Sequence, residues 1–387
     1  MVNRIIEGHI QKLWKHFPVV SVNGPRQSGK TTLIRNLFKA LPYQTMEDPE
    51  ILQLSENDPR RFLESFPKGA IFDEVQRSPH LFSYIQGIVD ADPKKRFVLS
   101  GSQNFLMSER ISQTLAGRVG IATLLPFSYQ EIKSAKIKVK NLEDLLFRGG
   151  YPRLYDRKIP ADIYFPNYVS TYLERDVKQI KNIGDLSVFT RFIKLCAGRA
   201  GQLLNLTSLS NDAGISVNTV KSWLSILEAS YIVFMLQPHH TNFNKRLTKT
   251  PKIYFYDTGL LCYLSEIKKA SQLNSHYNRG GVFENFVIAE LIKKYYNQGK
   301  RPNLNFWQNN HGKEIDLIVN RGNRLTPVEI KSSVTMNPKQ LDNIDYWHKL
   351  SKENSENGYV IYAGDQDIRL SRGTMLSWKT FSEKLKI

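Results

Sequence analysis

A multidomain α/β protein is what this 387-residue sequence predicts, on three observations. An apolar run, a glycine-rich loop and a helix-like segment follow one another near the start. A helix-turn-helix pattern leading into two strand-like runs occupies the middle. Near the end, a long helical stretch precedes two strands that carry carboxylates and a lysine. The divisions expected from these signals are 1–147, 148–265 and 266–387.

In the first region, Phe17 to Val22 reads as a buried strand and Thr31 to Phe38 as a helix. Between them, Gly24-Pro25-Arg26-Gln27-Ser28-Gly29-Lys30-Thr31 fits G-x-x-x-x-G-K-[ST] at every required position. Backbone N–H groups in such a loop converge on phosphate at the positive end of the following helix. This makes the run from Gly24 to Thr32 the expected nucleotide cradle, with Lys30 reaching the β- and γ-phosphates and Thr31 placing its hydroxyl on Mg²⁺. The expected cofactors are therefore ATP and Mg²⁺.

Some forty residues on, Gly69-Ala70-Ile71-Phe72-Asp73-Glu74 is a short apolar strand ending in two carboxylates. Asp73 is expected to hold Mg²⁺ through water, and Glu74 to orient and polarise an attacking water. The adjacent pair thus argues for hydrolysis rather than binding alone. A further strand, Arg96 to Ser100, runs into Gly101-Ser102-Gln103-Asn104, where Ser102, with Gln103 close behind, could sense the γ-phosphate. Arg118, in Leu115-Ala116-Gly117-Arg118-Val119, could complete the site of its own chain or of a neighbouring subunit.

The turn-rich junction Phe147-Arg148-Gly149-Gly150-Tyr151-Pro152 is expected to end this core. Beyond it, Tyr172-Leu173-Glu174-Arg175-Asp176-Val177 mixes opposite charges with apolar residues, as a solvated helix face or a contact between domains or subunits. Between Leu206 and Tyr256, Ser216 can cap a second helix whose Val217, Val220, Leu224 and Leu227 form one face, and two strands flank a wing-like segment carrying Lys245, Arg246 and Lys249. The pattern is a winged helix-turn-helix. Its second helix exposes Asn218, Thr219, Lys221 and Ser222, only one of them basic, so protein contact competes with DNA reading.

In the last region, Lys313 to Val319 and Pro327 to Lys331 are expected strands. A hairpin would bring Asp316 beside Glu329, and Lys331 shares Glu329's face because strand side chains alternate. With Glu284 from the preceding helix, this set could hold Mg²⁺ through oxygen ligands and activate a water. These features resemble the PD-(D/E)XK nuclease core, and Gln340 falls where many members of that superfamily carry a glutamine. The first motif position has glycine-rich sequence nearby instead of proline-aspartate.

Fifty-four Lys and Arg against 36 Asp and Glu leave a net charge of +18, with a pI of about 9.6. That balance favours a polyanionic partner, with DNA the expected one. Two cysteines, Cys196 and Cys262, lack C-x-x-C spacing, which suits reduced thiols in a cytoplasmic protein. No signal-like or membrane-spanning run is read, so no membrane association is expected.

Taken together, G-P-R-Q-S-G-K-T, I-F-D-E, L-S-G-S, L-A-G-R, T-Y-L-E-R-D-V, F-Y-D-T-G-L, F-E-N-F, E-I-D-L-I-V and V-E-I-K-S-S resemble the prokaryotic AAA-type ATPases that carry a C-terminal domain of unknown function. The resemblance implies an AAA-type P-loop ATPase core, a winged-helix segment and a restriction-endonuclease-like domain. It also implies nucleotide binding by Gly24, Gly29, Lys30 and Thr31, Mg²⁺ and water handling by Asp73 and Glu74, sensing by Ser102, and homo-oligomeric assembly, with a ring as one arrangement; Arg118 matches the family's recurrent G-R. Two functions follow: ATP hydrolysis coupled to DNA binding or remodelling, with or without DNA cleavage, or a nucleotide-dependent oligomeric switch or scaffold that uses a degenerate nuclease fold for protein docking.

Overall fold

The structure is a computed structural model, and it describes residues 2–102, 114–173, 185–239, 249–309, 312–322, 324–352 and 358–387. Gln103, Asn104, Glu174 to Val177, His240, Lys245 and Arg246 lie outside the described residues.

The first sheet comprises β1 (Val19–Asn23), β2 (Tyr43–Thr45), β3 (Ile71–Asp73), β4 (Phe97–Gly101) and β5 (Val119–Thr123), in the order β2-β3-β4-β1-β5. All of its pairings are parallel. Parallel strands are buried on both faces by the helices that connect them, and every residue of β1, β3 and β4 is buried. Ile6, the N-cap of α1 (Glu7–His16), joins Ile10 of that helix and Leu33 and Ile34 of α2 (Lys30–Leu37) in one apolar layer. The other layer takes Leu63, Leu81, Phe82 and Ile85 from the segment holding α3 (Pro49–Asn57), α4 (Pro59–Glu64) and α5 (Leu81–Ala91). Placing β1 in the interior of the sheet sets the loop after it at the C-terminal edge, where open parallel sheets bind ligands.

Helices α6 (Tyr129–Ser134), α7 (Leu142–Arg148), α8 (Arg153–Asp156) and α9 (Ala161–Tyr168) follow, and α9 runs into a single π-helical turn at Val169–Leu173. Next come α10 (Leu186–Ala197), α11 (Leu206–Ala213) and α12 (Val217–Ala229). Gly214, at φ +69°, ends α11, and the Ser216 hydroxyl accepts the Thr219 N–H at 3.1 Å to cap α12. Of the expected α12 face, Val220, Leu224 and Leu227 are buried while Val217 is half-buried; Trp223 completes the packing against Phe189 and Phe192. Strands β6 (Val233–Pro238) and β7 (Lys252–Phe255) pair antiparallel after it.

The second sheet crosses the 265/266 division expected from the sequence. Its order is β12-β13-β11-β10-β9-β8-β6-β7, joining the β6–β7 pair to β8 (Leu304–Gln308), β9 (Glu314–Asn320), β10 (Leu325–Lys331), β11 (Tyr359–Tyr362), β12 (Ile368–Leu370) and β13 (Gly373–Ser377). The junction is the parallel pairing of Gln237 with Asn305 and Pro238 with Phe306. One apolar core also runs from Phe127 and Leu145 through Phe192 and Leu227 to Phe286 and Phe381, so the middle and C-terminal regions pack as one unit. Around the sheet lie α13 (Thr258–Leu264), the long α14 (Arg279–Asn297), α15 (Asp342–Ser351) and α16 (Phe381–Lys384). Both cysteines are buried and unpaired.

Candidate functional site

The glycine-rich loop leaves β1 at Gly24, whose φ of +151° and tight approach to the Leu124 carbonyl oxygen leave no room for a Cβ. Gly29, at φ +94°, occupies the N-cap of α2, so the first amides of that helix open toward the loop. Lys30 folds back, its Nζ donating to the carbonyls of Gly24 at 3.0 Å and Pro25 at 2.9 Å. The Ser28 hydroxyl is buried with no hydrogen-bond partner. This donor-rich cradle fits a phosphate chain.

Asp73, at the end of β3, receives the Thr31 hydroxyl at 2.6 Å on Oδ2 and the Ser100 hydroxyl on Oδ1. A threonine hydroxyl and a carboxylate side by side supply hard oxygen ligands of the kind Mg²⁺ takes, so these residues fit the ion. Glu74 follows in the left-handed region at φ +52°, rare for a residue with a Cβ. That turn directs its carboxylate to the Ser102 hydroxyl, 3.1 Å away, and to Gln76 Nε2 at 2.5 Å. The expected set of Lys30, Thr31, Asp73, Glu74 and Ser102 therefore converges.

Three contributors were missed by sequence reading. Tyr43, on β2, donates to Asp73 Oδ2 at 2.8 Å, while the Arg35 guanidinium lies over its ring at 4.7 Å. Burial pushes the Tyr43 hydroxyl well above its usual range, and the Asp73 charge pushes it further. Arg153 and Arg157, in and just after α8, line the same cleft of about 700 Å³ as Lys30, Asp73 and Glu74. The only sequence signal for these arginines was their position directly after Gly149-Gly150-Tyr151-Pro152, read as the junction that ends the core.

Arg118 is not brought to its own chain's loop. It sits at the opposite end of the sheet, because Val119 pairs with Val19 at the start of β1. There its guanidinium grips Asp90 with Nε–Oδ1 at 2.6 Å and Nη2–Oδ2 at 2.8 Å. The fork-to-carboxylate geometry explains why it stays on α5.

The loop is also tied to the rest of the chain. Buried Arg4 donates to the Ser28 carbonyl at 2.9 Å, to Glu131 at 2.9 Å and to the Leu125 carbonyl at 2.6 Å. Gln27, left-handed at φ +62°, accepts the Tyr164 hydroxyl of α9 at 2.8 Å.

In the second sheet, antiparallel pairing of Val328 with Leu317 sets Glu329 next to Asp316 across the strands. Lys331 Nζ lies 3.2 Å from Asp316 and 2.5 Å from the fully buried Glu329. On the neighbouring elements, Lys252 Nζ contacts Glu284 at 3.6 Å and also Glu314, and the Tyr254 hydroxyl donates to Glu284 at 2.5 Å. Burial pushes the carboxyls of Glu329 and Glu284 up; Asp316 adds to this for Glu329, whereas for Glu284 the Lys252 charge opposes it. Burial opposes the Lys331 charge, but Asp316 and Glu329 outweigh it and raise its pKa.

Asp316, Glu329 and Lys331 thus meet as expected, with Glu284 on the adjoining Lys252 cluster. The metal set expected of Glu284, Asp316 and Glu329 is not assembled: among the described residues no group of three or more His, Cys, Asp or Glu is spaced to hold a metal. Lysine ammonium groups lie against these carboxylates instead. Gln340 uses its side chain locally, donating to the Ser333 hydroxyl at 2.9 Å and accepting the Asn337 N–H at 3.3 Å. No described helix is long and apolar enough to cross a membrane.

Three family models match the chain. Residues 16–133 match an AAA domain, residues 139–271 a domain of unknown function (DUF8612) and residues 279–381 a domain of unknown function (DUF4143). An uncharacterised protein of Mycobacterium tuberculosis is 30% identical over 323 residues, covering 82% of this chain and 71% of that one. An uncharacterised protein of Haemophilus influenzae is 23% identical over 386 residues, covering 89% and 90%. Among solved structures, a Walker-type ATPase of Pyrococcus abyssi aligns with a TM-score of 0.47 at 14% identity, over 68% of this chain and 96% of that one. The chain belongs to the same family as its mycobacterial relative, and its N-terminal domain is a P-loop ATPase domain of the AAA type.

Proposed function

We propose that this protein is a Mg²⁺-dependent ATPase whose hydrolysis is coupled to binding and remodelling DNA. The observation that carries the hydrolytic part is Glu74, set by a left-handed turn beside Asp73 and held by Ser102 and Gln76 at the mouth of the phosphate cradle. Bound Mg²⁺ would neutralise charge developing on the phosphates. Thr31 and Asp73 would hold it. Lys30 would leave its own loop carbonyls for phosphate oxygens, and Glu74 would take a proton from water as general base.

The net charge of +18 supports DNA as the partner. For the C-terminal region, the cross-strand meeting of Asp316, Glu329 and Lys331 supports a PD-(D/E)XK-like core, and the helices α10 to α12 with the β6–β7 pair support a winged-helix reading. The division at 147/148 and assembly into homo-oligomers, with Arg118 of one subunit serving another, remain parts of this proposal. Plasmid nicking tests the nuclease part. Mg²⁺-dependent nicking that disappears in Asp316→Ala but persists in Lys30→Ala is expected, and a wild-type protein that nicks no DNA form refutes it.

The second reading is a nucleotide-dependent switch or scaffold with a degenerate nuclease fold. It is favoured by one observation: Lys331 and Lys252 lie against the carboxylates of Asp316, Glu329, Glu284 and Glu314, and among the described residues these carboxylates form no metal-holding group.

A further inference from the structure

A second cleft, of about 530 Å³, opens on the other side of α8 from the phosphate cradle. Leu154 and Lys158 line it, while Arg153, Asp156 and Arg157 line the nucleotide cleft. This four-residue helix and the residues after it are therefore a wall shared by two clefts.

Lys138 and Lys140 line one rim of the second cleft, within the stretch Lys136-Ile137-Lys138-Val139-Lys140. Its lysines are exposed while Ile137 and Val139 are half-buried against the core. Lys136 turns in the left-handed region at φ +56° and stands apart from the other two; Lys138 and Lys140, two residues apart, would be separated by about 6.6 Å along extended chain, comparable to the separation of successive phosphates along one nucleic acid strand. Exposed Lys158 lines the same cleft.

Arg148 also lines the cleft, anchored by donating to the Leu154 carbonyl at 3.0 Å and lying 4.2 Å over the Tyr155 ring. Two carboxylates, Asp144 and Asp162, share the lining; the Asp144 carboxylate accepts the Lys140 N–H, while its own N–H donates to the Asn141 side chain that caps the helix. The floor is apolar and includes the half-buried Phe147 ring. Cations beside a partly exposed aromatic ring are what single-strand binding grooves combine, because the cations meet phosphates and the ring's free face can stack on a base.

We propose that this cleft binds the backbone of single-stranded nucleic acid and that α8 passes its occupancy to the nucleotide cleft. The proposal rests on the DNA-coupled reading and adds to it a surface, a strandedness and a route. A strand drawn onto Lys138, Lys140 and Lys158 bears on the same short helix that sets Arg153 and Arg157 over the phosphates.

The test uses the full chain and a fluorescein-labelled oligothymidylate, read by anisotropy across a salt series. Its variants are the triple Lys138→Glu/Lys140→Glu/Lys158→Glu and a charge-matched control, Lys39→Glu/Lys68→Glu/Lys94→Glu, at exposed positions on the ATPase core. The groove triple should weaken binding by about tenfold or more and flatten the salt dependence by about two units of slope, as expected for three lost phosphate contacts. The control should keep most of the affinity. Both should retain basal ATP hydrolysis, and only the groove triple should lose stimulation by the oligonucleotide.

Equal loss in the two triples overturns the groove assignment while leaving DNA coupling intact. A wild-type protein that binds no single strand overturns the DNA reading itself and this surface with it. Displacement of the oligonucleotide by polyglutamate at equal charge concentration overturns nucleic acid as the ligand in favour of an acidic protein segment.

Discussion

Glu74 concentrates the chemistry at the residue scale. Its backbone is held in a conformation that costs about 1–3 kcal/mol for a residue with a Cβ, and the return is a carboxylate fixed between Ser102 and Gln76. Glu74→Gln should keep nucleotide binding and lower kcat by about 10²-fold or more, measured by phosphate release alongside a fluorescent nucleotide titration. Arg153→Ala and Arg157→Ala should each weaken the nucleotide, because both cations line the cleft that receives the phosphates. Unchanged affinity in both variants would remove α8 from the account. The buried carboxylates of the second sheet give a pH prediction. Glu329 is raised from 4.5 to about 8 chiefly by burial, so the folded state holds a proton that the unfolded chain releases. Its contribution is complete below about pH 4.5 and is lost as pH rises through about 8. Urea midpoints should therefore fall between pH 6 and pH 9 in the wild type, and fall less in Glu329→Gln.

At the scale of elements, what joins the loop to its surroundings matters as much as the loop. Gly24 has a left-handed φ and no space for a side chain, since a Cβ would lie 2.0 Å from the Leu124 carbonyl oxygen. Gly24→Ala should accordingly cost about 2–4 kcal/mol, read by thermal unfolding, besides abolishing nucleotide binding. Asp257 plays a comparable part in the other half. Its buried carboxylate accepts the Gly150 N–H at 2.6 Å and the Leu260 N–H at 2.9 Å, pinning the glycine junction to α13. Asp257→Ala leaves two buried amides unpaired and should destabilise by about 2–3 kcal/mol or more. This is also where sequence and structure part. The loop, the β3 carboxylates and the β9–β10 pairing were legible because each depends on neighbours in sequence or on a strand period. Tyr43, Arg153 and Arg157 were not, because parallel pairing of β2 with β3 and the fold-back of α8 join residues with no local spacing rule. The cis half of the Arg118 expectation failed for the same reason: a single arginine carries no information about which end of a sheet it occupies.

At the scale of the molecule, the chain holds an ATPase sheet and a second sheet whose core runs without a break from the middle region to the C-terminus. The 265/266 division separated the helix-turn-helix pattern from the carboxylate-bearing strands, and such local patterns do not register a pairing such as that of Gln237 with Asn305. Polar links span the two halves: Arg4 joins Ser28 to Glu131, while Glu290 of α14 accepts the Tyr129 N–H at 2.8 Å and Lys293 donates to the Phe127 carbonyl at 3.1 Å. A change at the loop therefore has a short path to the second sheet. The measurement that tests the account most directly is the rate of Mg²⁺-dependent ATP hydrolysis by the full chain, with and without single-stranded DNA, in the wild type, Lys30→Ala and Glu74→Gln. The account predicts hydrolysis that rises with DNA and is lost in both variants; hydrolysis that survives both substitutions would contradict it.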